Sequence, residues 1–167
     1  MNVQRFGPQG IRRGSQRILW ESAWDPYTLK NAFTNWAKVI DCGDVPVTWL
    51  DNTIALRQID EAHRIISSRP AANQSIADLV AEATSPKPVP RILTLGGDHT
   101  TTLSALRSVH KHFGKVSVIH FDSHLDTWDP AVLGGGISEY AGVNHGTFLH
   151  IAHEEGLLNA DSSVHAG

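Results

Sequence analysis

Cysteine and methionine each occur once in the 167-residue chain. Cys42 has no second cysteine to pair with, so a disulfide framework, a zinc ribbon and a dithiol redox motif are all excluded, and a reducing, cytoplasmic setting is expected. No run of residues approaches the roughly 18 consecutive apolar positions of a membrane-crossing helix, and the N-terminal segment lacks the apolar core of a signal peptide. Surplus positive charge is missing as well. Lys and Arg number 14 against 17 Asp and Glu, giving a net charge of −3 with the two signs interspersed. Such a chain offers no basic stripe, which argues against nucleic acid as a partner, just as the lack of apolar runs argues against a membrane. What remains is an ordinary globular composition, 41% hydrophobic, long enough to bury one core as a single domain over residues 1–167.

Histidine is plentiful by contrast, with ten in the chain. His110, His112, His150 and His153 fall in or near amphipathic helical patterns and read as surface or satisfied core residues, so any chemical role must be argued from spacing.

From Met1 to Ser15 the sequence is rich in Gly and Arg and has neither helical nor strand periodicity, which predicts an extended loop. Val39–Val45 reads as a short strand running into a Gly turn before Pro46. After Asp51 and Asn52, both good N-cap types, Ala55, Ile59, Ala62 and Ile66 repeat on one helical face, and the helix should stop before Pro70. Ile76, Leu79, Val80 and Ala83 suggest a shorter helix, followed by a Pro-rich connector from Ser85 to Pro90. Arg91–Leu95 is then a brief apolar run closed by Gly96-Gly97, and Leu103, Leu106, His110 and Phe113 mark a helix directly after it. Lys115–Phe121 supplies another β-branched run. A helix around Phe148–Glu155 ends at Gly156, and Ser163–Ala166 begins a further strand. Strands that alternate with helices in this way predict a parallel α/β sheet flanked by helices.

Two segments carry chemistry. In His120-Phe121-Asp122-Ser123-His124-Leu125-Asp126, the residues Asp122, His124 and Asp126 stand at alternate positions after an apolar strand. In an extended chain they point to one side, beyond the carboxyl end of the strand, where open parallel sheets place their sites. Carboxylate and imidazole without thiolate favour manganese or a similar divalent ion over structural zinc. An acidic, solvated loop would show the same alternation. One strand earlier, Leu95-Gly96-Gly97-Asp98-His99-Thr100 turns from a strand end into a helix. It lacks the dinucleotide fingerprint and the P-loop lysine, and taken alone His99 reads equally well as a turn or capping residue.

Together, the Gly-Gly-Asp-His turn and the Asp-x-His-x-Asp strand end resemble the signatures of the ureohydrolase family, which includes arginase, agmatinase, guanidinobutyrase and formiminoglutamase. Arg5-Phe6-Gly7-Pro8-Gln9-Gly10-Ile11-Arg12 is similar to the N-terminal, substrate-side loop of the agmatinase type, and Asn144-His145-Gly146-Thr147 to the family's substrate-side His-Gly-Thr. The resemblance covers almost the whole chain and implies a three-layer arginase-like fold, a parallel sheet between helices. It further implies two Mn2+ ions, one held by His99 and Asp126, the other by His124, with Asp122 bridging both. Such a pair lowers the pKa of a shared water, which then attacks a guanidinium carbon and releases urea and an amine. By the same resemblance His145 is the proton donor or relay, and Asp98 and His120 orient the ligands. The substrate would be a small guanidino compound, agmatine first, and family members commonly form homo-oligomers.

The family also uses two aspartates of a later Asp-x-Asp motif and a glutamate beyond them, and no such motif occurs in this sequence. The chain is therefore expected to be the first half of the domain, truncated before the remaining ligands. Two readings follow: a portion of an active agmatinase-like enzyme, or an inactive ureohydrolase-like protein that binds one metal weakly or acts through interaction only. A metal-free α/β binding domain would require Asp122, His124, Asp126 and His99 to coincide by accident.

Overall fold

A computed structural model describes residues 6–19, 21, 23–35, 38–70 and 89–167. Internal contacts separate the chain into two compact units. One comprises Met1–Asp44 with Leu95–Gly97, the other Val45–Thr94 with Asp98–Gly167.

In the first unit the expected extended loop is corrected: Gly7–Ser15 is a helix, α1. Gly10 and Gly14 weaken helical propensity and hide the pattern, but Pro8 stands where the first helical turn tolerates proline, and Arg12 and Arg13 lie in the last turn, where cations are favoured. Tertiary contacts reinforce it. The Arg12 guanidinium donates to Asp41 Oδ2 at 2.9 Å and also reaches Asp44, which holds the Asp41 carboxyl below the usual carboxylate range. Val39–Val45, expected as a strand, joins no ladder among the described residues. Instead, a two-residue hairpin pairs β1 (Trp24–Asp25) antiparallel with β2 (Lys30–Asn31). Its turn is built on Asp25, whose carboxylate accepts from the Tyr27 amide and the Thr28 hydroxyl, both at 2.9 Å. A single-turn helix, α2 (Ala32–Asn35), follows.

The second unit holds the core. Helix α3 (Asn52–Ser67) starts where the sequence predicts, with the Asp51 carboxylate accepting from the amides of Thr53 and Ile54. Its buried face is Leu56, His63 and Ser67, one residue round from the predicted stripe, and Ala55, Ile59, Ala62 and Ile66 lie half-buried along its edge. The rotation follows from packing against α4 (Thr101–Phe113), whose buried residues are Leu103, Ser104 and Leu106. Ser104 at that contact donates to the Leu56 carbonyl. The expected strand Arg91–Leu95 joins no ladder among the described residues, and the helix expected around Ile76–Ala83, with most of the connector after it, lies outside them.

Strand β3 (Ile119–Phe121), helix α5 (Phe148–Glu154) and strand β4 (Val164–Ala166) complete this unit. The two strands pair in parallel, with His120 opposite His165, and a parallel bridge from Val116 to Leu158 extends the pairing. Helix α5 ends as predicted at Gly156, whose φ of +71° suits glycine, while the Leu157 amide returns to the Ala152 carbonyl. Leu56, Leu103, Leu106, Phe148, Leu149, Ala152 and Leu157 form one hydrophobic cluster beneath the strand pair. Arg107 ties the helices together, donating to Glu155 on one side and to Asp60 of α3 on the other. Among the described residues no helix is long and apolar enough to cross a membrane.

His63 gives this packing a pH dependence. Burial lowers its pKa, with Asp60 opposing, so the folded chain keeps His63 neutral whereas the unfolded chain takes up a proton near the ordinary value of about 6.5. The unfolded state then binds more protons, and the contribution is present above about pH 6.5 and lost as pH falls below it. The melting temperature of a His63→Leu variant should fall less than the parent's between about pH 7 and about pH 5, as followed by circular dichroism.

Candidate metal centre

Three short-range devices assemble the site. Asp98 opens α4: its Oδ1 accepts from the Thr100 amide at 2.9 Å and from the Thr100 hydroxyl, and its carbonyl accepts from Thr101. This fixes the chain on either side of His99. The β3–β4 pairing fixes His120, buried on the inner face of β3, and continues through the Asp122 amide, which donates to the Ala166 carbonyl. Finally, Asp126 adopts a φ of +54°, one of two non-glycine residues described in that region. Aspartate tolerates this backbone better than most side chains. Its carbonyl accepts from the Leu149 amide in the first turn of α5, so the turn that delivers the carboxylate is anchored to the helix beneath it.

The result is a cluster of His99, His120, Asp122 and Asp126, each offering one donor atom, with all four atoms within 4.8 Å of one another. His99 Nδ1 lies 2.8 Å from Asp126 Oδ2 and 3.3 Å from Asp122 Oδ2. His120 Nε2 lies 3.5 Å from Asp126 Oδ2. The Asp126 side chain is only 6% exposed. Phe148 forms an apolar floor, its ring centroid 4.6 Å from that of His99. Burial, reinforced by the neighbouring His99, lowers the His120 pKa against the opposing pull of Asp126. Asp122 is held below the usual carboxylate range chiefly by the His124 amide that donates to it.

Of the residues singled out in the sequence, His99, Asp122 and Asp126 meet as expected. Extended alternation is not kept through Asp126, because the strand ends at Phe121 and the chain then bends. His124 consequently stands outside the four-residue cluster, its side chain 79% exposed and its Nδ1 3.2 Å from Asp122 Oδ1. His120, expected to orient ligands, directs its own Nε2 at the carboxylates, and this buried atom has no hydrogen-bond partner among the described residues. Asp98 is exposed and engaged in the turn. His145 is exposed on a turn built by its neighbours. Asn144 donates to the carbonyls of Leu133 and Ala141 and accepts from the Gly146 amide, and the Thr147 hydroxyl donates to the Gly142 carbonyl at 2.6 Å. Two participants went unread in the sequence, Phe148 and His165, whose Nδ1 lies 2.9 Å from His120 Nδ1. The strand containing His165 was legible, but its register against β3 was not.

Two carboxylates facing two imidazoles, one of them with an orphaned buried nitrogen, form a donor set suited to a divalent cation. The left-handed turn makes a separable demand. Asp126→Asn should preserve the fold while weakening metal binding, whereas Asp126→Val, β-branched at positive φ, should destabilise by about 1–3 kcal/mol in denaturant unfolding.

A model of the arginase family matches residues 2–167. The protein named "Putative agmatinase 1" of Schizosaccharomyces pombe is 47% identical over 163 residues, a match that covers 98% of this chain and 41% of that protein. Among solved structures, that of a "hypothetical Agmatinase" from Burkholderia thailandensis superposes with a TM-score of 0.62 at 31% identity, covering 96% of this chain and 41% of its own. Proclavaminate amidino hydrolase from Streptomyces clavuligerus has a TM-score of 0.67 at 24% identity, covering 97% and 44%, and shows the shared fold alone. The chain thus spans about two fifths of the length of the curated relatives it matches. With its fold, its cluster of imidazoles and carboxylates and a family match running through residues 2–167, this chain belongs to the arginase family.

Proposed function

We propose that the complete protein hydrolyses a small guanidino compound, agmatine foremost, to urea and a primary amine with the help of two manganese ions. The observation that carries this reading is the convergence of His99, His120, Asp122 and Asp126 on one partly buried point. His99 and Asp126 would hold one ion and His124 the other, with Asp122 between them. Bound divalent ions supply a water acidic enough to act as a nucleophile near neutral pH. The chain's own residues do the rest. Asp122 and Asp126 present the negative charge that would offset part of the charge of the ions. Phe148 and the buried face of β3 keep bulk water from beneath it. Addition of water to the guanidinium carbon gives a tetrahedral centre, the bond to the alkyl nitrogen breaks, and the departing amine needs a proton. His145, exposed on its braced turn, is the group proposed to deliver it. The preference for agmatine rests on the likeness of Arg5–Arg12 to the agmatinase type and on the names of the relatives.

A second reading, weak binding of a single metal without turnover, is favoured by one observation: the described residues gather one four-donor cluster, with His124 outside it. Manganese titration by calorimetry separates the two. Protein expressed from its complete gene should bind two ions per chain and release urea from agmatine, while Asp122→Ala and His124→Ala should each lose metal and activity together. One ion bound without urea would favour the second reading. Manganese binding without urea from agmatine, guanidinobutyrate or arginine would overturn the first.

A further inference from the structure

We propose that Gly167 is a positioning residue: its lack of a side chain makes room for the bend after β3 that presents the Asp122 carboxylate to the metal centre. This rests on the metal reading above and deepens it.

The register of the strand pair sets up the contact. Phe121 stands opposite Ala166, so Asp122 and Gly167 are the next residues along each strand. The Asp122 amide still donates to the Ala166 carbonyl, as in a regular ladder, but β3 ends at Phe121. Neighbouring strands ordinarily lie about 4.7–4.9 Å apart, and their side chains leave perpendicular to the sheet, clear of the adjoining backbone. Gly167 departs from that rule. A Cβ built on it would overlap the Asp122 carbonyl oxygen, stand 2.6 Å from the carbonyl carbon and lie 3.3 Å from the Ser123 nitrogen. Two carbons at contact are about 3.5–4.0 Å apart. The peptide joining Asp122 to Ser123 therefore occupies the space that a side chain on β4 would fill. It has tipped out of the ladder and onto Gly167.

That tipped peptide is the first step of the turn that builds the site. Asp122 Oδ1 accepts from the His124 amide at 2.9 Å, which closes the turn on itself, while Oδ2 lies 3.3 Å from His99 Nδ1. Ala166 holds the amide of Asp122 and Gly167 receives its carbonyl, so β4 seats both peptides that flank the Asp122 α-carbon, and the direction of the carboxylate follows. A side chain at position 167 would have to push that carbonyl or β4 aside by about 1 Å. Liganding groups need to be held to within about 0.5 Å. Because Asp122 is proposed to serve both ions, displacing it should weaken both. Gly114, at the end of α4, provides a control: its φ is +78° and a Cβ on it would meet nothing within 4 Å, so a substitution there strains the backbone without touching the site.

The test uses protein expressed from its complete gene. In manganese titrations by calorimetry, Gly167→Ala should bind both ions about 10- to 100-fold more weakly than the parent. Gly114→Ala, although its melting temperature also falls, should bind as the parent does. A second measurement needs no variant. An ion that fixes Asp122 must also tighten the contact that Asp122 makes, since coupling is reciprocal, so manganese should slow hydrogen exchange of the parent's backbone amides at 164–167 together with those at 122–126. A folded Gly167→Ala variant that binds as tightly as the parent, or exchange at 164–167 unchanged by manganese, would overturn the proposal and leave the metal reading intact. A parent that binds no manganese would remove both.

Discussion

Two carboxylates brought together with no lysine or arginine paired to them among the described residues are the constraint around which the second unit is arranged. Asp126 is almost wholly buried, Asp122 is about one quarter exposed, and the ion pairs described for them are with imidazoles alone. Burying a carboxylate against apolar surface is costly unless charge or hydrogen bonding offsets it. Here the offset is incomplete within the protein itself: a backbone amide serves Asp122, three imidazoles surround the pair, and one buried imidazole nitrogen stays unpartnered. A divalent cation is the group that would resolve all of these demands together.

The surrounding fold can be understood as the means of holding that unfavourable arrangement still. Phe148 and Leu103, both fully buried, tie α5 to α4 under the site. The Asp126 carbonyl is pinned by the Leu149 amide, and the Asp122 amide by the Ala166 carbonyl. Each carboxylate thus has its backbone fixed by a different element, so their separation is set by how helix and strand pack and not by a flexible loop. Arg107, bridging Asp60 and Glu155, braces the same helices. The positive φ of Asp126 is a local cost that this anchoring makes tolerable.

Much of this was legible in the sequence, for physical reasons that also explain what was not. Caps and stops are local chemistry, so Asp51 and Gly156 marked the ends of their helices correctly. Apolar periodicity located α3 and α4, but a stripe defines a face only to within a residue or so, and the partner helix chose Leu56, His63 and Ser67. Two glycines concealed α1, whose support from Asp41 and Asp44 comes from distant positions in the chain. Residue types at Asp122 and Asp126 were enough to suggest a metal. The assumption that the strand runs on through Asp126 was not secure, because a left-handed aspartate leaves no pattern, and the bend exchanges His124 for His120 at the cluster. His165 could not be found at all without knowing that β4 lies in register beside β3.

The account stands or falls on where the ion sits. Crystals of the complete protein grown with manganese, with diffraction recorded at the metal's absorption edge, would locate it through anomalous scattering. The account predicts two neighbouring peaks, one beside His99 and Asp126 and the other beside His124, with Asp122 close to both. A peak elsewhere, or none among these residues in protein known to have bound manganese, would contradict it.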